Sequence, residues 1–364
     1  MYKLLKALLF KIDAQFVHEA ALSFGENLGK INAGTLISPF FSYKNESLNQ
    51  SVHGISFTNP IGLAAGFDYN AQLTQILPSI GFGFETIGTI TNMAYEGNPI
   101  PRLGRLPKSK ALMVNKGFKN NGAKNIVEKL RSKNFKTPVG ISIGRTNSAL
   151  LQTQEESVAD IVLAFKTFEQ AKINNSYYEL NISCPNLIHG NKNITFYTKE
   201  NLTHLLDEVS KLTITKPIFA KMPIIIENDR VLELLQVLTK YKINGVVFGN
   251  LETRRDNKFL DPTEVKLFEV GNFSGKPTTE RSNELIELAF KNYGKDLTVI
   301  GCGGVFSGKD AYEKIIRGAS LIQLITGMIY EGPMLISSIN RYLAERLKQD
   351  GFSNLSEIVG LKFK

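Results

Sequence analysis

The sequence predicts an α/β fold: a (β/α)8 TIM barrel with a small N-terminal helical extension. Three observations carry that prediction. From about residue 52 onward, short apolar runs alternate with amphipathic helical stretches, and eight such runs can be counted. Alternation of this kind implies parallel βαβ units, and eight is the number that closes a barrel; an open doubly wound sheet would be unusual with so many. The length, 364 residues, suits one barrel of about 250 residues plus an extension, and equally two domains of similar size. Before residue 30 the pattern is helical.

Taken in order, residues 1–28 read as two short helices. Leu4, Leu5, Leu8, Leu9 and Ile12 recur near helical spacing with Lys3, Lys6 and Lys11 between them. Asp13 is an N-cap for a second helix bearing Phe16, Val17, Ala20 and Phe24, and Gly29 ends it. Residues 30–50, rich in Asn and Ser and holding Pro39, read as a linker. The strand candidates are then Ile61–Ala65, Phe84–Gly88, Val139–Ile143, Tyr178–Ile182, Ile218–Lys221, Gly245–Phe248, Thr298–Gly301 and Leu321–Leu324. Helical stretches between them include Asn125–Lys133, Val158–Lys172, Asn201–Lys211, Val231–Tyr241, Glu280–Asn292 and Lys309–Gly318.

Composition narrows the function classes. The net charge of +9 comes from scattered lysines, with no Arg-rich or basic–aromatic run, so it reads as a solvated surface rather than a nucleic-acid face. Two distant cysteines, Cys184 and Cys302, exclude a disulfide framework and an iron–sulfur ligand set in this chain. Four histidines without HExxH argue against a metal site. No uninterrupted apolar window is long enough to span a bilayer, and the Lys-broken N-terminus does not read as a signal peptide.

In a barrel the chemistry lies on the loops that follow the strands. Ala64-Ala65-Gly66 offers small residues that let a flat ligand approach the backbone, or simply a tight turn. Gly88-Thr89 again pairs a small residue with a hydroxyl. Asn181-Ile182-Ser183-Cys184-Pro185-Asn186 is the most informative stretch. Asn donates and accepts at once, which suits a uracil-like ring, and a thiol of ordinary pKa about 8.5 can act as a general base. Alone, Cys184 would be a small buried hydrophobe; between Asn181 and Asn186 it reads as functional. Lys221 ends an apolar run and needs an anionic or carbonyl partner, such as the edge of a reduced flavin. Ser274-Gly275-Lys276, Gly303-Gly304 and Thr326-Gly327 are backbone-donor loops where barrels bind one phosphate; Phe306 breaks any GxGxxG, so a dinucleotide is not expected. The residues thus describe a phosphate-bearing planar cofactor beneath an Asn/Cys cluster, without naming a substrate.

The motifs NPIGLAAGFD, GFGFETIGTIT, NISCPN, AKMP, FSGKP, IGCGGV and GASLIQLITGMIYEGP, in that order, resemble the dihydroorotate dehydrogenase family, and the N-terminal helices resemble the extension of its membrane-associated, quinone-reducing class. The resemblance implies a helical membrane-associating extension over 1–45 and an FMN-binding barrel over 46–364. It implies oxidation of (S)-dihydroorotate to orotate in pyrimidine (UMP) synthesis, with proton removal at C5 and hydride transfer from C6 to FMN. Quinone is the implied acceptor, at the cytoplasmic face of the inner membrane, with neither an iron–sulfur partner subunit nor nucleic acid. FMN contacts would come from Ala65, Gly66, Thr89, Ser142, Asn181, Lys221, Gly249, Gly275, Gly303, Gly304, Thr326 and Gly327. Substrate contacts would come from Tyr69, Asn115, Gly117, Phe118, Asn181, Asn186 and Asn250. Cys184 falls on the base position, and His18 and Arg102 fall on the quinone tunnel; the two also read as a surface residue and a salt-bridge partner. Leu187–Lys199, with His189, Asn191 and Asn193, suits a mobile lid.

Departures from the family pattern cluster around the ligand. The quinone class usually carries Ser where Cys184 stands. The family's lysine after AAGFD is Tyr69 here. The Asn-x-x-Gly-Phe stretch is one residue short, so either Asn115 has moved or Val114 replaces it. Ser142 stands where Asn is usual, and Gly249 where Thr is common. Two other readings follow: the same flavin scaffold acting on another dihydropyrimidine or with a soluble acceptor such as fumarate, and a flavin- or phosphate-binding barrel without catalysis.

Overall fold

The computed structural model describes residues 2–188 and 195–364. The chain opens with helices α1 (Tyr2–Leu9), α2 (Ala14–Lys30) and α3 (Gly34–Phe41). The Asp13 carboxylate accepts the Phe16 N–H at 2.8 Å, so the predicted N-cap of α2 is in place. The expected linker is corrected by α3, which contains Pro39. Proline costs a helix one hydrogen bond. Here docking outweighs that cost: Gly34 lies so close to Ser79 that a Cβ would come within 2.3 Å of its hydroxyl.

A hairpin follows, β1 (Gln50–Val52) and β2 (Ile55–Phe57). The remaining strands are β3 (Ile61–Leu63), β4 (Phe84–Ile90), β5 (Leu103–Leu106), β6 (Ala111–Val114), β7 (Val139–Ile143), β8 (Tyr177–Asn181), β9 (Ile218–Met222), β10 (Gly245–Phe248), β11 (Asn272–Gly275), β12 (Thr298–Cys302) and β13 (Ala319–Leu324). Eight of them close a parallel barrel in the order β3-β4-β7-β8-β9-β10-β12-β13, and these are the predicted strands to within two residues at either end. The sequence reading missed β5, β6 and β11, which form an antiparallel sheet of three strands.

The barrel interior is filled in layers. Val52 and Phe57 of the hairpin join Phe84, Tyr177, Phe219 and Leu321 in a buried apolar cluster. Gly62 and Gly140 make room for it: a Cβ would come within 2.2 Å of the Phe84 ring and 2.0 Å of the Tyr177 ring, respectively. A polar layer of Thr86, Glu179, Lys221 and Gln323 is buried as well. The predicted lid residues His189, Asn191 and Asn193 lie outside the described residues.

Candidate active site

The loops that follow the barrel strands converge on a small cavity of about 90 Å³. Ala65, Lys221, Gly249, Gly275, Gly303, Gly304, Thr326 and Gly327 all line it. Close backbone approach explains two of its glycines. A Cβ on Gly249 would meet the Cys302 carbonyl at 1.9 Å, and one on Gly327 would meet the Val305 carbonyl at 1.8 Å. Gly66, on the adjoining cavity, has φ +110°, and a Cβ there would stand in open space with only Ile325 Cδ1 at 3.8 Å, so glycine suits the backbone and leaves that wall flat. The Ser274 and Thr326 hydroxyls bond each other at 2.8 Å at the rim. A flat, phosphate-bearing ligand fits this donor set and this absence of side chains.

A second cavity of about 160 Å³ adjoins the first and shares Ala65, Lys221, Asn250 and Thr326 with it. Cys184, Asn181 and Asn186 line it, as do Gly66, Tyr69, Thr89, Gly117 and Phe118. The amides are held in fixed orientations. Asn181 donates to Thr89 Oγ1 at 2.7 Å and accepts from the Ser183 N–H at 3.1 Å. Asn186 donates to the Val114 carbonyl at 3.0 Å, and Asn250 donates to the Ser183 carbonyl at 2.9 Å. Ser142 lines neither cavity; it acts through Thr89, whose hydroxyl it bonds at 3.0 Å. Asn115 is likewise turned away. Its Oδ1 accepts from Asn98 at 2.9 Å, and Val114 takes the place on the cavity wall. Of the two ways to read the shortened stretch, the structure therefore favours Val114 over a displaced Asn115.

Burial pushes the Cys184 thiol up to about 12, against the opposing pull of the Asn186 N–H and the Lys221 ammonium. The ordinary thiol pKa assumed from sequence is thus corrected: low dielectric penalises the thiolate. Tyr197 stands close enough for the Cys184 charge to act on it, a neighbour the sequence did not flag. Tyr69 is also pushed up to about 12, by burial and then by Glu19 and Asp68.

Lys221 and Glu179 sit 3.5 Å apart at the floor, both buried. Burial alone would lower the Lys221 pKa, but Glu179 carries it above the ordinary value. Gln323 donates to the other Glu179 oxygen at 3.0 Å. Lys221→Met leaves a buried carboxylate without its cation, and it should cost about 3–5 kcal/mol of stability. Urea unfolding of the ligand-free protein measures this, and Lys221→Met with Glu179→Gln should recover most of the loss.

A third cavity, about 580 Å³ and almost wholly apolar, lies under α1–α3. His18 and Phe67 form a wall common to it and to the polar cavity. His18 is buried, not a surface residue. Its Nε2 donates to the Phe67 carbonyl at 3.0 Å, while burial first and the nearby Lys116 second hold its pKa well below the ordinary range. Arg102 lines neither cavity and turns back to the Asn98 and Gly97 carbonyls. Arg105 is the arginine on the apolar cavity, donating to the Ile12 carbonyl at 2.6 Å and lying 4.8 Å over the Phe10 ring. Strand alternation could have found it: along β5, Leu103 and Arg105 share a face.

Residues 47–347 match the sequence family described as Dihydroorotate dehydrogenase. A Trichodesmium erythraeum protein named dihydroorotate dehydrogenase (quinone) is 34% identical over 339 residues, covering 91% of this chain and 87% of that one. A Gloeobacter violaceus protein of the same name is 34% identical and covers 100% of this chain and 99% of its own. Among solved structures, the DHODH of Eimeria tenella in complex with ferulenol superposes with a TM-score of 0.83 at 23% identity, over 97% of this chain and 96% of that one.

Proposed function

This chain belongs to the dihydroorotate dehydrogenase family, a flavin-dependent family, and from that premise we propose how its two cavities divide the work. The protein oxidises dihydroorotate to orotate in pyrimidine synthesis and passes the electrons to a quinone. One observation carries the division: a polar Asn/Cys cavity and a large apolar cavity meet at the wall formed by His18 and Phe67. A water-soluble pyrimidine fits the first and a lipid-soluble quinone fits the second. Fumarate, a dianion, does not match an apolar lining.

FMN is the flavin this reading assigns. Ala65, Gly66, Gly249, Gly275, Gly303, Gly304, Thr326 and Gly327 would hold it, with Thr89, Asn181 and Lys221 toward its ring and Ser142 supporting Thr89. When bound, FMN supplies the hydride acceptor for substrate C6 and the electron donor for quinone. Asn181, Asn186 and Asn250 hold the pyrimidine through its C=O and N–H groups, and Cys184 takes the proton from C5. Lys221, kept charged by Glu179, presents a cation where negative charge develops.

The extension, residues 1–45, serves as a peripheral membrane contact. Leu4, Leu8, Phe16, Phe24, Leu36 and Phe40 are all exposed, and Lys3 and Lys11 can meet anionic headgroups at the cytoplasmic face, whereas Lys6, expected to join them, turns inward and donates to the Tyr330 carbonyl at 2.9 Å. Among the described residues no helix is long and apolar enough to cross a membrane. Anaerobic mixing of the oxidised holoprotein with dihydroorotate should bleach the flavin absorbance, and added quinone, not fumarate, should restore it. No bleaching would exclude the dehydrogenase, and restoration by fumarate but not by quinone would exclude the quinone as acceptor.

A further inference from the structure

Three lysines line the polar cavity, and two of them have a carboxylate partner. Lys221 lies 3.5 Å from Glu179, and Lys119 lies 3.0 Å from Glu19. Lys116 makes no ion pair among the described residues. Its ammonium instead lies 3.0 Å from His18 Nδ1 and 4.8 Å over the Tyr69 ring. His18 is a neutral partner. Because its Nε2 donates to the Phe67 carbonyl, its Nδ1 accepts from Lys116 and brings no negative charge. A half-buried ammonium whose direct contacts are a neutral imidazole and a ring face is poorly compensated unless an anion joins it.

The asparagines account for the neutral edges of a pyrimidine, and none of them balances a charge. The substrate of the proposed reaction carries one carboxylate, on C6, the carbon that gives up the hydride. We propose that Lys116 is the residue that binds this carboxylate, leaving His18 to do so and fixing C6 relative to Cys184. The inference rests on the reading given under Proposed function.

The surroundings of Lys116 support it. The titratable and charged groups facing it are His18 and Glu19 on α2, Tyr69 after β3, Arg102 before β5, and Lys119 on its own loop. Burial, then Lys119, lowers the Lys116 pKa to about 7, with Glu19 opposing and Arg102 adding to the fall. An anion beside it reverses that shift, so carboxylate binding takes up a proton at neutral pH. Affinity for a carboxylate ligand is then full below pH about 7 and falls as pH rises through it.

The test compares orotate with uracil, which lacks the carboxylate, on the FMN-loaded protein, followed by perturbation of the flavin spectrum. Wild type should bind orotate more tightly than uracil. Lys116→Met should weaken orotate by about 10- to 100-fold, the range of a charge-assisted hydrogen bond, and leave uracil nearly unchanged. Lys116→Arg should recover part of the loss. In wild type, orotate affinity should fall toward tenfold per pH unit above about 7, which needs no variant to observe. Equal losses for orotate and uracil, or a flat pH profile for orotate, would overturn the assignment while leaving the dehydrogenase reading intact. Wild type that binds neither orotate nor dihydroorotate would overturn both.

Discussion

Cys184→Ala should slow flavin reduction by dihydroorotate about 10²–10⁴-fold, the usual worth of a positioned base, while FMN content and orotate binding stay close to wild type. The single-turnover rate in an anaerobic stopped-flow instrument reads this without the quinone step. The raised thiol adds a pH signature. Burial pushes Cys184 up to about 12, so the thiolate fraction grows about tenfold per pH unit across the neutral range, and the wild-type rate should climb with it. Cys184→Ser should retain some activity, with its optimum displaced to still higher pH. Near-wild-type reduction by Cys184→Ala would move the base elsewhere, and Tyr69, in the same cavity and also near 12, would be examined next.

Deleting residues 1–28 should abolish quinone turnover and spare bleaching by dihydroorotate. The deletion removes Leu5, Leu9 and Val17 from the apolar cavity and His18 from the wall the two cavities share, freeing Lys116 of its neutral partner, but it takes none of the asparagines or glycines of the barrel mouth. Anaerobic bleaching by dihydroorotate is therefore the internal control for folding. Steady-state assays with a soluble quinone check the loss, and full turnover by the truncated protein would give the extension another role.

The barrel was legible because each strand announces itself locally. Runs such as Val139–Ile143, apolar but for Ser142, and Gly245–Phe248 are buried at every position, as strands covered on both faces are. The β5-β6-β11 sheet was not, because β11 pairs with β6 across more than a hundred residues and nothing in either short strand reports the other. Helix α3 was hidden by Pro39, whose local cost only tertiary docking outweighs. The glycine cradle and the Asn/Cys loop were readable from position alone, since barrel chemistry follows strand ends. Arg105 and Lys116 were not singled out for the wall positions they occupy, and Val114 entered only as the alternative to Asn115. Which of several neighbouring residues faces a cavity depends on strand phase and on left-handed turns, and Gly117 and Phe118 have φ of 63° and 66°. Lys116 is set apart only by tertiary placement, which puts its ammonium over the ring of Tyr69, the tyrosine that stands where the family pattern expects lysine.

On the division of work proposed above, the wall formed by His18 and Phe67 makes the protein a commutator between two phases. A pyrimidine enters from water and a quinone from lipid, each reaching its own side of the same thin partition, so the two never need to meet. Electrons cross while molecules do not. Two substrates served in turn through one redox centre alternate as half-reactions, and initial rates plotted in double-reciprocal form against either one should give parallel lines rather than lines that converge. The same partition keeps a membrane-soluble oxidant and a charged metabolite out of each other's binding site, which frees the composition of each cavity to follow its own ligand.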